Sequence, residues 1–384
     1  MYLPTKMNKI QQMNIQCQGY PIINEMDSHI LCMGSCFADF LAKALRKLGF
    51  SNAVHIASCC WHFTSRTILE ALRHAEQNRE FTIEHTYKTG FLYNSALHYR
   101  LSSPDPEILI KAMNQSTKAL CEQIKKAELY VLTLGNATYM RHAGTQHIVT
   151  ATPAFRDSAT FFNWYHSDAD SVGLELTEIY DILTRMSSRK IRLILTVSPQ
   201  RYNYSFQTWA ERDDFFYEDK QVYSNFNKAI LLCAVHNFIA KMEKKGKGEY
   251  ITYFPSYEIV LDELRSEQIF DGDGLHVRNP EVPNYVANRF INSYCSKTLR
   301  VLLNSNTPGY KWPFGRMFIA NCNHKIDVMF FEQCLDAKWN VAEQVLKSIK
   351  EILAYELESP LVWIQNFMHD EVLEWAEGKQ NDIS

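Results

Sequence analysis

No stretch of this 384-residue sequence approaches the roughly 20 apolar residues that a membrane-spanning helix needs, so no span is expected. Residues 1–21, MYLPTKMNKIQQMNIQCQGYP, lack the continuous apolar core of a signal peptide, and the chain reads as soluble and cytoplasmic. Neither charge dominates: 40 Lys and Arg face 43 Asp and Glu, a net of -3. That balance argues against bulk attraction to nucleic acid or anionic lipid. Ten cysteines are present, but no CxxC pair. Cys322 and His324 offer two metal ligands, with no second pair at finger-like spacing, so no metal site is assigned. Cys32, Cys121 and Cys233 sit inside apolar segments, as small buried hydrophobes do. The GxSxG elbow of common hydrolases is also missing, since Met33 and Phe37 stand where its glycines would be around Ser35.

What is there alternates. Short apolar runs at His29–Met33, Leu129–Leu134, Arg192–Val197 and Tyr250–Phe254 read as buried strands. Helical periodicity fills the intervals. Phe37, Phe40, Leu41, Ala44, Leu45 and Leu48 form one stripe. Further stripes run through Leu109–Ile124, Leu174–Met186 and Phe226–Phe238, and a last helix covers Pro283–Tyr294. Strands alternating with helices predict an α/β fold with a parallel sheet covered on both faces. Such sheets bind ligands at the C-terminal ends of their strands. The loops to inspect are therefore Gly34-Ser35-Cys36, Gly135-Asn136-Ala137, Ser198-Pro199-Gln200-Arg201, Pro255-Ser256-Tyr257-Glu258 and the later FDGDGLHVRNP.

Three of these loops have a plain reading and a chemical one. Ser35 is a helix N-cap, or a nucleophile that needs a base to take its proton. Asn136 closes an Asx turn, or donates its amide to an oxyanion. In DGDGLH, Asp273 stands three residues before His276, so one turn can present both side chains in one direction, as an orienting acid and a base require. The same residues are also ordinary turn formers, and Asp271 competes with Asp273 for the orienting role. Cys36, beside Ser35, raises a thiol nucleophile as an alternative. The aromatic run Phe161–Tyr165 suits a cleft wall or core packing. The basic run Lys241–Lys247 suits a solvated helix end.

Taken together, the pentapeptide Gly34-Ser35-Cys36-Phe37-Ala38, LTLGNA at 132–137, LTVSPQR at 195–201, YFPSYEIVLDELR at 253–265 and the DGLH loop resemble the GSCFA family, a relative of the SGNH (GDSL-like) hydrolases. The similarity covers roughly residues 25 to 300. It implies a three-layer α/β/α sandwich with Ser35 as nucleophile, His276 as base and Asp273 orienting it. It also implies an oxyanion site made by the Ser35 amide and the Asn136 side chain beside Gly135. Two departures stand out. The stretch HIASCCWHFTSRT has no glycine, the next ones being Gly49 and Gly90, so a backbone amide near Ala57 or Ser58 is expected to replace the usual donor. The SPxRH pattern ends here in Tyr202, a position where substrate preference is expected to differ.

The expected organisation is a catalytic domain over 1–305 and a helical C-terminal extension over 306–384, with helices at Glu343–Tyr355 and from Ser359-Pro360 onward. The resemblance implies an esterase acting on an O-acyl, first of all O-acetyl, group of a glycan or other hydroxylated small molecule, with no cofactor. An O-acyltransferase using the same residues is the alternative. A non-enzymatic interaction protein, with the C-terminal helices binding a protein partner or a second copy, is the other.

Overall fold

The computed structural model describes residues 15–17, 19, 22–23, 28–47, 50–89, 91–99, 101–150, 162–201, 220–265, 269–270, 277 and 281–296. The helices expected at 343–355 and beyond 359 lie outside them.

The centre is a five-stranded parallel sheet built from β1 (Ile30–Gly34), β2 (Ala53–Val54), β6 (Leu129–Leu134), β10 (Leu193–Val197) and β11 (Ile251–Tyr253). Every residue of β1, β6 and β10 is buried, which is why they read as continuous apolar runs and not as alternating ones. The spatial order is β11-β10-β6-β1-β2. In chain order this is 2-1-3-4-5, so the direction of winding reverses between β1 and β6. α1, which follows β1, packs on one face of the sheet, and α5, the next helix after β6, packs on the other. Gly34 is paired with Thr133 in the register, so the loops after β1 and β6 start side by side.

The period-two alternation of each strand separates two cores. Ile30, Cys32, Leu129, Val131 and Ile194 pack with α1 (Cys36–Lys47) and α8 (Glu281–Tyr294). Leu31, Met33, Tyr130, Leu132, Leu193 and Leu195 pack with α3 (Ser65–Gln77), α4 (Pro106–Lys126), α5 (Ala169–Met186) and α6 (Lys220–Lys244). This is a three-layer α/β/α sandwich. None of the described helices is long and apolar enough to cross a membrane.

Two small antiparallel sheets rim the sandwich. One joins β3 (Thr86–Thr89), β4 (Leu92–Ser95) and β5 (Ser102–Ser103); the other joins β7 (Thr138–His142), β8 (Ile148–Val149) and β9 (Phe162–His166). The aromatic run thus becomes β9, paired along its length with β7. A four-residue helix, α2 (Ala57–Cys60), precedes α3. Thr64 caps α3 by accepting from the Thr67 amide at 3.1 Å.

Three details depart from the sequence reading. Cys233 is exposed and Cys121 only half-buried. Leu174 faces solvent, and Val172 takes the core position at the start of α5. On α6 the buried stripe is Leu231, Ala234, Val235 and Phe238, extended toward the N-terminus by Tyr223, Asn227 and Lys228. That helix is apolar on more than one side, so periodicity alone left its phase open. The basic run behaves as expected: Gly246 takes φ +67°, and the Lys247 amide closes the helix end on the Met242 carbonyl at 2.9 Å.

Candidate active site

The first turn at the reversal point depends on Gly34. Its φ is +130°, and a Cβ there would lie 2.1 Å from the Thr133 carbonyl oxygen. Only glycine fits that backbone. Ser35 follows with no accessible surface. Its carbonyl accepts from the Ala38 amide at 2.8 Å, opening α1. Its Oγ accepts from the Phe37 amide at 3.4 Å, beyond good hydrogen-bond distance, so the capping role is weakly filled. The Ser35 amide donates to the Thr133 carbonyl at 3.0 Å. The parallel ladder simply runs one residue past the strand. The resemblance cast that amide as an oxyanion donor; in this arrangement it is already engaged.

The stretch without glycine is a strap across this turn. The His62 amide donates to the Gly34 carbonyl at 2.8 Å, and Trp61 bridges to Gly34. The Phe63 carbonyl accepts both the Gly135 amide at 2.9 Å and the Asn136 amide at 2.8 Å. One segment therefore ties the two turns together. Ser58, placed here by the sequence reading, is drawn elsewhere: its hydroxyl bonds Ser116 on α4, and its carbonyl accepts from the Tyr99 amide.

Asn136 is 1% exposed. Its Oδ1 accepts from the Thr138 amide at 3.2 Å, so the Asx turn is real. Its Nδ2 is buried and finds no hydrogen-bond partner among the described residues. The two readings of Asn136 are thus compatible: the turn uses the oxygen and leaves the amide donor. Thr133 Oγ1, Trp61 Nε1 and His62 Nδ1 are buried and unpartnered in the same sense. Buried polar atoms are normally paired, so these four, on the two turns and the strap between them, stand out. His62 is held neutral, because burial pulls its pKa down to about 4.

Cys36 is hydrogen-bonded through Sγ to Gln200 Oε1 at 2.8 Å. Burial pushes its thiol up to about 12, against the pull of the nearby Lys228 charge. A thiol held protonated is a poor nucleophile, which weighs against the cysteine alternative.

The loop bearing Asp273 and His276 lies outside the described residues, as does Tyr202. Its two flanks do not. Phe270 and Val277 pair as an antiparallel bridge. Val277 then lines a small apolar hollow with Phe37 and Phe40 of α1, Pro199 and Gln200 after β10, and Pro283 of α8. The residue after His276 is therefore seated against the first turns of the helix that Ser35 introduces. Arg201 stacks its guanidinium over the Phe270 ring at 4.5 Å, tying the loop after β10 to the same flank.

Sequence reasoning missed the support that α6 gives. Asn227 Oδ1 accepts from the Ala137 amide at 3.2 Å, and Lys228 Nζ donates to the Gly135 carbonyl at 2.6 Å. Tyr223 reaches Thr138 through its hydroxyl. A lysine amid helix periodicity carries no sequence signal of burial.

Fold and site together define a class: a parallel α/β/α sandwich with a buried serine and, on the adjacent loop at its topological switch point, an asparagine whose amide has no partner among the described residues. The family model that matches the chain is the GSCFA family, over residues 29–290. With more than half the chain matched, the protein belongs to the GSCFA family. No curated protein and no solved structure matches it.

Proposed function

We propose that this protein is a serine acyl hydrolase that cleaves small O-acyl esters of hydroxylated compounds, acetyl esters of glycans being the first class to try. The observation that carries the reading is the buried Asn136 Nδ2, a donor left without a partner on the loop that starts beside the Ser35 turn. An oxyanion needs such a donor, preorganised and shielded from water. The seating of Val277 against α1 supports a role for the adjacent His276 as base, with Asp273 orienting it.

In this reading His276 takes the Ser35 hydroxyl proton as Oγ attacks the ester carbonyl carbon. The carbonyl oxygen becomes an anion that Asn136 Nδ2 meets with a hydrogen bond. The anion then collapses, the ester C–O bond breaks, and the alcohol leaves with the proton from His276. Water, deprotonated by His276, attacks the acyl-enzyme and releases the acid, restoring Ser35. Ser35 has no accessible surface, so an opening step precedes acylation. The Ser35 amide either stays on Thr133 and leaves Asn136 as the main donor, or is released in that opening.

The test is hydrolysis of p-nitrophenyl acetate by the wild type and Ser35→Ala, with product analysis in the presence of sugar acceptors. Release of acetate that is lost in the variant supports the reading. Acetyl transfer to the acceptor in place of acetate would convert it to an acyltransferase. Equal release by both proteins would sink it.

A further inference from the structure

Lys228 sits in the apolar layer between α6 and the sheet with 2% of its surface exposed. A charged ammonium is costly there unless it is bonded. Burial pulls its pKa down to about 7. Its Nζ reaches the Gly135 carbonyl at 2.6 Å. That carbonyl and the Asn136 N–H are the two ends of one planar peptide unit. The N–H end donates to the Phe63 carbonyl at 2.8 Å. The unit is thereby pinned at both ends, which fixes the Asn136 N–Cα bond; the Cα–Cβ direction is set once the following peptide is held as well. The preceding helix residue, Asn227, holds the next amide, Ala137. The Asn136 side chain is then set by its own Asx bond to Thr138. What remains free to meet a ligand is Nδ2.

We propose that Lys228 is a positioning residue for the oxyanion donor: by clamping the Gly135 carbonyl it locks the peptide that aims the Asn136 amide into the site. The proposal rests on the acyl-hydrolase reading for its catalytic consequence, but not for the clamp itself. Lys228 touches no reacting atom in this account; it acts through Asn136. The loss of its hydrogen bond therefore lowers turnover and leaves substrate affinity largely intact.

The experiment compares wild type, Lys228→Met and Lys228→Gln, each first checked for cooperative unfolding. Amide hydrogen exchange of the peptide spanning 132–140 is measured alongside p-nitrophenyl acetate kinetics. Loss of the clamp in Lys228→Met is expected to speed exchange in that peptide at least about tenfold. It is also expected to lower kcat by about 10²-fold with KM little changed, the loss typical of one oxyanion donor. Lys228→Gln keeps a neutral donor and is expected to recover part of both effects. Unchanged exchange in a folded Lys228→Met would overturn the clamp, whatever the activity. Faster exchange with an unchanged kcat, in a wild type that hydrolyses ester through Ser35, would overturn the catalytic role. A wild type without any hydrolysis would count against the acyl-hydrolase reading, while the exchange result would still decide the clamp. If Lys228→Met does not fold, Lys228→Gln carries both comparisons: a partial loss in each is expected, and wild-type exchange and kcat in that variant would overturn the clamp.

Discussion

The two turns at the reversal point solve the same problem by different means. The Gly34–Ser35 turn is held by main chain: a left-handed glycine, the Ser35 amide on Thr133 and the His62 amide on Gly34. The Gly135–Asn136 turn is held by side chains of α6 as well, through Asn227 and Lys228. Main-chain control permits one residue type at the critical place and leaves no route for repair. Side-chain control spreads the task over several residues, each of which can be changed with a graded loss. The first turn places an oxygen in the dark of the core; the second spends Asn136 Oδ1 locally and leaves its side-chain amide without a partner among the described residues.

That contrast can be broken from either side. Gly34→Ala has the largest expected effect on folding. The added Cβ meets backbone at 2.1 Å and forces an L-residue to φ +130°. Strain of that kind costs about 1–3 kcal/mol before the clash is relieved, so a loss of at least about 3 kcal/mol in urea unfolding is expected. Full retention of stability would show that the turn can move.

Asn136→Ala comes next. Its turn keeps the Lys228 and Phe63 anchors, so the protein is expected to fold while kcat for ester hydrolysis drops by about 10²–10³. A variant with wild-type kcat would remove Asn136 from the oxyanion site.

Acid is expected to strain the strap. Burial lowers the folded-state pKa of His62 to about 4 and of His98 to about 3, below the ordinary value near 6.5. The unfolded chain therefore binds more protons between these values, and stability rises with pH there. It is fully present above about pH 6.5 and is lost as pH falls toward 4. Urea midpoints at pH 7 and 5 should differ in that direction, and His62→Asn should shrink the difference. An identical dependence in the variant would show that His62 titrates normally.

Smallest is Cys36→Ser. Because the thiol donates to Gln200 and a serine hydroxyl can do the same, stability is expected to change by less than about 1 kcal/mol and turnover to survive. Loss of all activity would revive the thiol nucleophile.

Much of this was legible in the residues. Leu129–Leu134 is a strand in both readings, and the runs ILCMG and LILTV announce themselves because both faces of a covered parallel sheet are apolar. The turns were legible because Gly-Ser and Gly-Asn follow those runs directly. The rim was not. β2, β5 and β8 have two residues each, too few for any period to show. β7, TYMRH, is polar and aromatic by turns, and its pairing with β9 is settled by tertiary contact. Lys228 was invisible for another reason: helix lysines normally face water, and its bond to the Gly135 carbonyl depends on the three-dimensional course of the chain.

The proposed chemistry turns on Ser35 being an activated nucleophile. Fluorophosphonate labelling with peptide mass spectrometry tests it most directly, on wild type, Ser35→Ala and His276→Ala. A single adduct is expected on the peptide bearing Ser35, absent from Ser35→Ala and lost or slowed by orders of magnitude in His276→Ala. A folded wild type that takes no label, or a label that ignores His276, would contradict it.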